Sequence, residues 1–242
     1  MSWVGSGRVS RSFLAFAIVV ALMCTVALGA GCGSNKTTPT TSPKTSPGTS
    51  PSTSPVAPGA PAPIVLQGSG NSTTDVFSLL NGLVIFTIRD SGTGTFTMTL
   101  QDVSGKAVSV LSNVNVPFVG ATALGVVAGQ YTIKVVSAGA WEVDANQQVP
   151  INPQFLPLND SGNAAQVTPF FQSQGGPATV TMTYSGSSPF IVTLLTSGGQ
   201  AVTTVANAVT GPFNGTQTLP LQQGVIYLID IEAGGSWTLS IQ

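Results

Sequence analysis

"GQYTIKVVSAGAWEVDA" (residues 129–145) and "GVIYLIDIEAGGSWTLSIQ" (residues 224–242) follow one pattern: a Gly, a Tyr, alternating aliphatics, a Gly-containing turn and a Trp. In the first segment Tyr131, Ile133 and Val135 share one face of an extended chain. Trp141, Val143 and Ala145 share one face beyond a turn through Ala138 and Gly139. Tyr227, Ile229 and Ile231, then Trp237, Leu239 and Ile241, repeat this in the second. Period-2 alternation of this kind marks half-buried strands. Each segment therefore reads as a closing β-hairpin whose Tyr and Trp point into a core.

The likeness extends beyond the closing segments. "GLVIFTIRDSGTGTFTMTLQDVSGKAV" from Gly82 aligns without a gap on "GPATVTMTYSGSSPFIVTLLTSGGQAV" from Gly176, with Gly82/Gly176, Phe96/Phe190, Leu100/Leu194 and Gly105/Gly199 identical. Single-residue insertions then bring "PFVG" at Pro117 onto "PFNG" at Pro212 and Trp141 onto Trp237, while "LQGSGN" at Leu66 echoes "LNDSGN" at Leu158. A period of about 95 residues is too long for a solenoid repeat and suits a whole sandwich. Within "GTFTMTLQ", Phe96, Met98 and Leu100 take one face and Thr95, Thr97 and Thr99 the other. The expectation is an all-β chain with two tandem jelly-roll or Greek-key β-sandwich domains, residues 64–146 and 158–242, joined by an apolar connector, 147–157. The early S-G-N, the G-x-x-x-F and the closing G-x-x-Y with its Trp resemble small all-β modules of bacterial secreted proteins, pre-peptidase C-terminal-like sandwiches being the nearest type. That resemblance implies accessory or binding domains and assigns no site residues.

Composition agrees with an uncharged β surface: among 242 residues, 6% are charged and none is His. All eight acids lie from Asp75 onward, against Arg89, Lys106 and Lys134 in the same stretch. Such a balance offers no means of neutralising phosphates, so nucleic acid is not an expected partner.

The first 31 residues read as an export signal, with Arg8 and Arg11 before the apolar run "FLAFAIVVALMCTVALGAG". The run ends in small residues, Gly29, Ala30 and Gly31, directly before Cys32. This resembles the lipobox of bacterial lipoproteins, and the resemblance implies cleavage before Cys32 and a lipid on its sulfur. An uncleaved membrane helix is the alternative, the run being almost long enough to span a bilayer. Either way the remainder is expected on the outer face of the cytoplasmic membrane, tethered to the bilayer. Cys24 lies within the signal, so no disulfide framework is expected. Residues 32–63 form a Ser/Thr/Pro stalk in which "TSPK", "TSPG", "TSPS" and "TSPV" follow one another from Thr41. Such a segment buries no core and favours extended polyproline II.

Without His or a free Cys, Ser-His and Cys-His catalysis and His-containing zinc sites are excluded. No cofactor is expected. Two carboxylate pairs remain, Glu142 with Asp144 and Asp230 with Glu232, each on one face of a strand and about 7 Å apart by strand rise. Either is a candidate edge of a Ca²⁺ site or, for Asp230 and Glu232, a hydrolase pair. The competing reading makes them solvated acids on the faces opposite the core, as their parity implies. Phe118 and Phe213, in the "PFxG" segments, are the candidate ligand contacts, or else plugs at the sandwich ends. Three functions follow from the sequence. The first is a non-catalytic surface lipoprotein binding an envelope protein or polysaccharide; the others are a carbohydrate-binding lipoprotein and an envelope hydrolase. Apolar Ile151, Phe155 and Leu156 in the connector suggest a fixed contact between the halves, with Phe155 wedged near Ile191 and Leu195.

Overall fold

The computed structural model describes residues 55–242, all within one compact unit. Cys24, Cys32 and most of the stalk lie outside the described residues. The chain is all-β. Strands β1 (Ile64–Ser69), β2 (Ser72–Thr73), β3 (Phe77–Leu79), β4 (Gly82–Asp102), β5 (Ala107–Val126), β6 (Gly129–Val136) and β7 (Ala140–Asn146) make its first half. β4 and β5 form one long antiparallel ribbon with a register break between Asp90 and Gly94. Before the break, residues 85–90 of β4 pair with β7, which pairs with β1. After it, residues 97–102 pair with β6, whose other edge carries β2 and β3. One ribbon thus serves both sides of a core containing Phe86, Phe96, Met98, Leu100, Ile133 and Val143.

The second half comprises β8 (Gln154–Phe155), β9 (Leu158–Gly162), β10 (Gln166–Val167), β11 (Phe171–Gln172), β12 (Ala178–Tyr184), β13 (Phe190–Thr196), β14 (Ala201–Ala208), β15 (Phe213–Leu219), β16 (Ile226–Glu232) and β17 (Trp237–Ile241). Here the ribbon is cut into four strands: β12 pairs with β15 and β17, and β13 pairs with β14 and β16. β9 flanks β17, while β10 and β11 flank β16. The order of pairings is that of the first half. Its core holds Met182, Phe190, Leu194, Ile229 and Trp237.

Inward parity holds in both halves. Tyr131, Trp141, Tyr227 and Trp237 are all buried, and Thr95, Thr97 and Thr99 face outward. The closing segments are nevertheless not hairpins. β6 pairs with the far part of β4 and β7 with its near part, as β16 pairs with β13 and β17 with β12. The turn through Ala138 and Gly139 therefore crosses from one layer to the other. Alternation identifies the face a strand buries but not its neighbour, so a hairpin and a crossing between layers give the same pattern.

Two recurrent glycines are explained by rings laid on the backbone. Gly68 lies opposite Trp141 and Gly162 opposite Trp237, and a Cβ at Gly162 would come within 2.7 Å of the Trp237 ring. This register shifts the sequence alignment of the first strands by two residues, since it matches Gly68, not Gly70, to Gly162. In "PFxG" the Phe ring folds over the Gly two residues later, where a Cβ at Gly215 would meet Phe213 at 2.6 Å.

At the start of the described chain Val56 forms a β-bridge with Pro150, and the Ile151 N–H donates to the Pro55 carbonyl at 3.0 Å. Gln148 Nε2 donates to the Pro61 carbonyl at 3.0 Å. Connector residue Leu156 packs on the second core. Phe155 does not act as the expected wedge, being 56% exposed.

The halves meet elsewhere. Leu83, Ala123, Leu195 and Leu228 form a buried cluster, with Ile85, Val167 and Phe170 around it. The turn at Gly199 seats against Gly125 so closely that a Cβ on Gly199 would lie 2.6 Å from the Gly125 Cα. β5 has a free edge here, and it is satisfied from the other half. The Ala121 N–H donates to the Ala165 carbonyl at 3.0 Å and the Ala123 N–H to Asp230 Oδ1 at 2.9 Å. Leu195 was an expected member of this contact; Leu83, Leu228, Ile85, Val167 and Phe170 supply most of the rest, and Gly125 and Gly199 let the backbones approach.

Candidate functional site

The candidate carboxylates occupy different settings. Glu142, on β7, pairs with Arg89 of β4 at 2.7 Å, both side chains being well exposed. Such a pair adds little stability. Asp144 lies two residues along the same face, half-buried, with Oδ1 enclosed and without a hydrogen-bond partner. Burial pushes its carboxyl above the usual range, Arg89 opposes this and Glu142 adds to it.

Asp230 departs from the expectation of a solvated acid. It does face away from its own core, but the first half covers that face. Burial at the joint raises its pKa to about 7, against the hydrogen bond from the Ala123 backbone and the polar side chain of Thr122, and Glu232 raises it further. Glu232 itself is exposed. Among the described residues no three His, Cys, Asp or Glu side chains converge as metal ligands would.

An open cleft of about 780 Å³ lies on the first half, where β1, β4, β5 and β7 come together. Phe118, Trp141, Asp90, Arg89, Glu142 and Gln67 contribute to its walls. Asp90 is its distinctive feature. Only 4% exposed, it stands between Phe118 and Trp141 in the strand register. One carboxylate oxygen accepts the Gly92 N–H at 2.7 Å, and the other accepts the Ser137 hydroxyl in a short bond. These donors satisfy polar oxygens that would be costly to bury unpaired.

The matching position in the second half is Tyr184, set between Phe213 and Trp237 in the same register. Its ring stacks on Phe190 at 4.7 Å and 7°, and its hydroxyl hydrogen-bonds to Ser188. At the matching position the two halves therefore differ: the large Tyr184 ring stacks on its own core, whereas the shorter Asp90 bonds Gly92 and Ser137 beside the cleft.

Phe118 and Phe213, the sequence candidates, are both half-buried. Each packs over its own glycine and against its own core, 6.5 Å from Phe96 and 5.6 Å from Phe190 respectively. Of the two, Phe118 also lines the cleft. The sequence reading passed over Asp90, although the alternation Phe86, Ile88, Asp90 puts an acid on the inward face and thereby marks it.

No protein-family model matches the chain, and no curated protein matches it. Among solved structures it is similar to the M60 catalytic domain with the CBM51-1 and CBM51-2 domains from Clostridium perfringens ZmpB, at 6% identity and a TM-score of 0.27. That similarity covers 74% of this chain and 34% of the other, so the chain spans about a third of that structure. Infectious bursal disease virus Gx strain matches at 16% identity and a TM-score of 0.14, over 72% of this chain and 56% of that one. The Gt strain of the same virus matches at 14% and 0.17, over 79% and 74%. Likenesses at this level carry no argument about function.

Proposed function

We propose that the chain is a non-catalytic surface lipoprotein: residues 64–146 and 158–242 are tandem copies of one jelly-roll or Greek-key β-sandwich module, and the first copy holds the binding site. A lipidated Cys32 and the Ser/Thr/Pro stalk carry the pair at the outer face of the cytoplasmic membrane. The ligand is a protein or polysaccharide of the envelope. The observation that carries this reading is the cleft on the first copy, walled by Phe118, Trp141 and Asp90, at the position where the second copy has Tyr184 in place of Asp90. A cleft with aromatic walls and a few fixed polar groups suits recognition of a ligand.

Retention of the protein on isolated cell-envelope material tests the site. Phe118→Ala is expected to weaken retention at least tenfold, whereas Phe213→Ala, in the second copy, leaves it within about twofold while costing comparable stability. Equal losses in the two variants would remove the cleft from the proposal. The anchor is tested separately, by metabolic labelling with a fatty acid. Cys32→Ser should abolish the label, and a variant labelled and cleaved like the parent would refute lipidation there.

A further inference from the structure

We propose that Asp230 is a pH-sensitive latch between the two halves, holding them docked when its carboxyl is neutral and loosening them when it ionises. Geometry places it there. The Ala123 N–H is an edge-strand donor of β5, turned away from β4 and enclosed by the contact, and Asp230 Oδ1 accepts it at 2.9 Å. Leu83, Ala123, Leu195 and Leu228 bury the surrounding space, with Ile85, Val167 and Phe170 beside them. In the strand ladders Asp230 is flanked by Thr193 of β13 and Val167 of β10. Thr122 approaches from β5, and the charged group that acts on Asp230 is Glu232 of its own strand, which is also negative. No cation among the described residues faces the carboxylate to offset its burial.

Removing water from such a group disfavours its charged form. Consistently, its pKa is raised from 3.8 to about 7 in the docked structure. A raised acid binds its proton more tightly docked than undocked. Docking is therefore strongest below about pH 4, weakens as pH rises from there to about 7, and stays at its lower level above that. Asparagine keeps the oxygen that accepts from Ala123 and does not titrate.

Amide hydrogen exchange of the full chain in detergent, resolved by NMR and corrected for intrinsic rates, reads the latch at Ala123. Between pH 5 and pH 8.5 the protection of Ala123 should fall at least about tenfold, the equivalent of one pK unit, while Met182 in the second core keeps its protection. In Asp230→Asn the Ala123 value should be the same at both pH values. The ¹³C resonance of the Asp230 carboxyl in the unmodified protein gives a second reading that does not depend on the variant folding. A midpoint well above the usual carboxylate range supports the latch. A midpoint near 4, protection of Ala123 that does not change with pH, or the same fall in Asp230→Asn would each overturn it.

Discussion

Trp237→Ala is expected to destabilise the protein by about 3–5 kcal/mol, the usual cost of emptying a large aromatic from a packed interior. The ring is 2% exposed, covers Gly162, and donates its Nε1–H to the Ala164 carbonyl at 2.9 Å. Truncation leaves both a cavity and an unpaired carbonyl. In a folded region of this size the melting temperature should drop by roughly 10 °C or more. Trp141→Ala should cost less, because its ring borders an open cleft and its Nε1–H bond to the Gly70 carbonyl is longer, 3.3 Å. Denaturant titrations of the two variants check this, and a loss below about 1 kcal/mol for Trp237→Ala would show that the second core does not depend on its closing Trp.

Gly125→Val should part the two halves without unfolding either. A side chain at Gly125 would run into the backbone carbonyl of Gly199, and backbone at a turn has no rotamer with which to yield. The contact must separate or strain, at a cost of about 1–3 kcal/mol by analogy with overpacked cores. Amides of Ala121 and Ala123 should then exchange freely while those of Val180 and Met182 stay protected. Small-angle scattering should show a larger radius of gyration. An unchanged profile together with protected Ala121 and Ala123 would mean that the Gly125–Gly199 approach does not hold the halves.

The strands and their buried faces were legible because alternation directly reflects which side of a strand meets water. Phe96, Met98 and Leu100 of β4, and the two closing segments, are buried as their parity demands. Pairing partners were not legible. A strand of alternating aliphatics looks the same whether its neighbour is the next strand or part of a ribbon much earlier in the chain, so β6 and β7 passed for a hairpin. The joint between the halves was partly legible through Leu195. Phe155, the largest apolar residue of the connector, proved misleading because hydrophobicity alone does not say which surface lies within reach. Part of the true joint is the close approach of Gly125 and Gly199, whose contribution is to let backbones meet, and hydropathy does not register that. Asp230 was misjudged for the same reason: facing away from one core is not the same as facing solvent. Asp90 was within reach of the sequence, as an acid on an inward face and as the counterpart of Tyr184 in the gapless alignment.

The bridge between Val56 and Pro150 has a mechanical consequence. Under the proposed anchoring, a pull arriving at Pro55 meets paired backbone at residues 150–151, at the midpoint of the described chain, before it reaches β1. Drag on anything held in the cleft would then be transmitted from β7 and β1 to this clamp and on to the tether. The second half lies off that line of force, so shear on the envelope surface would load one half while the other stays slack.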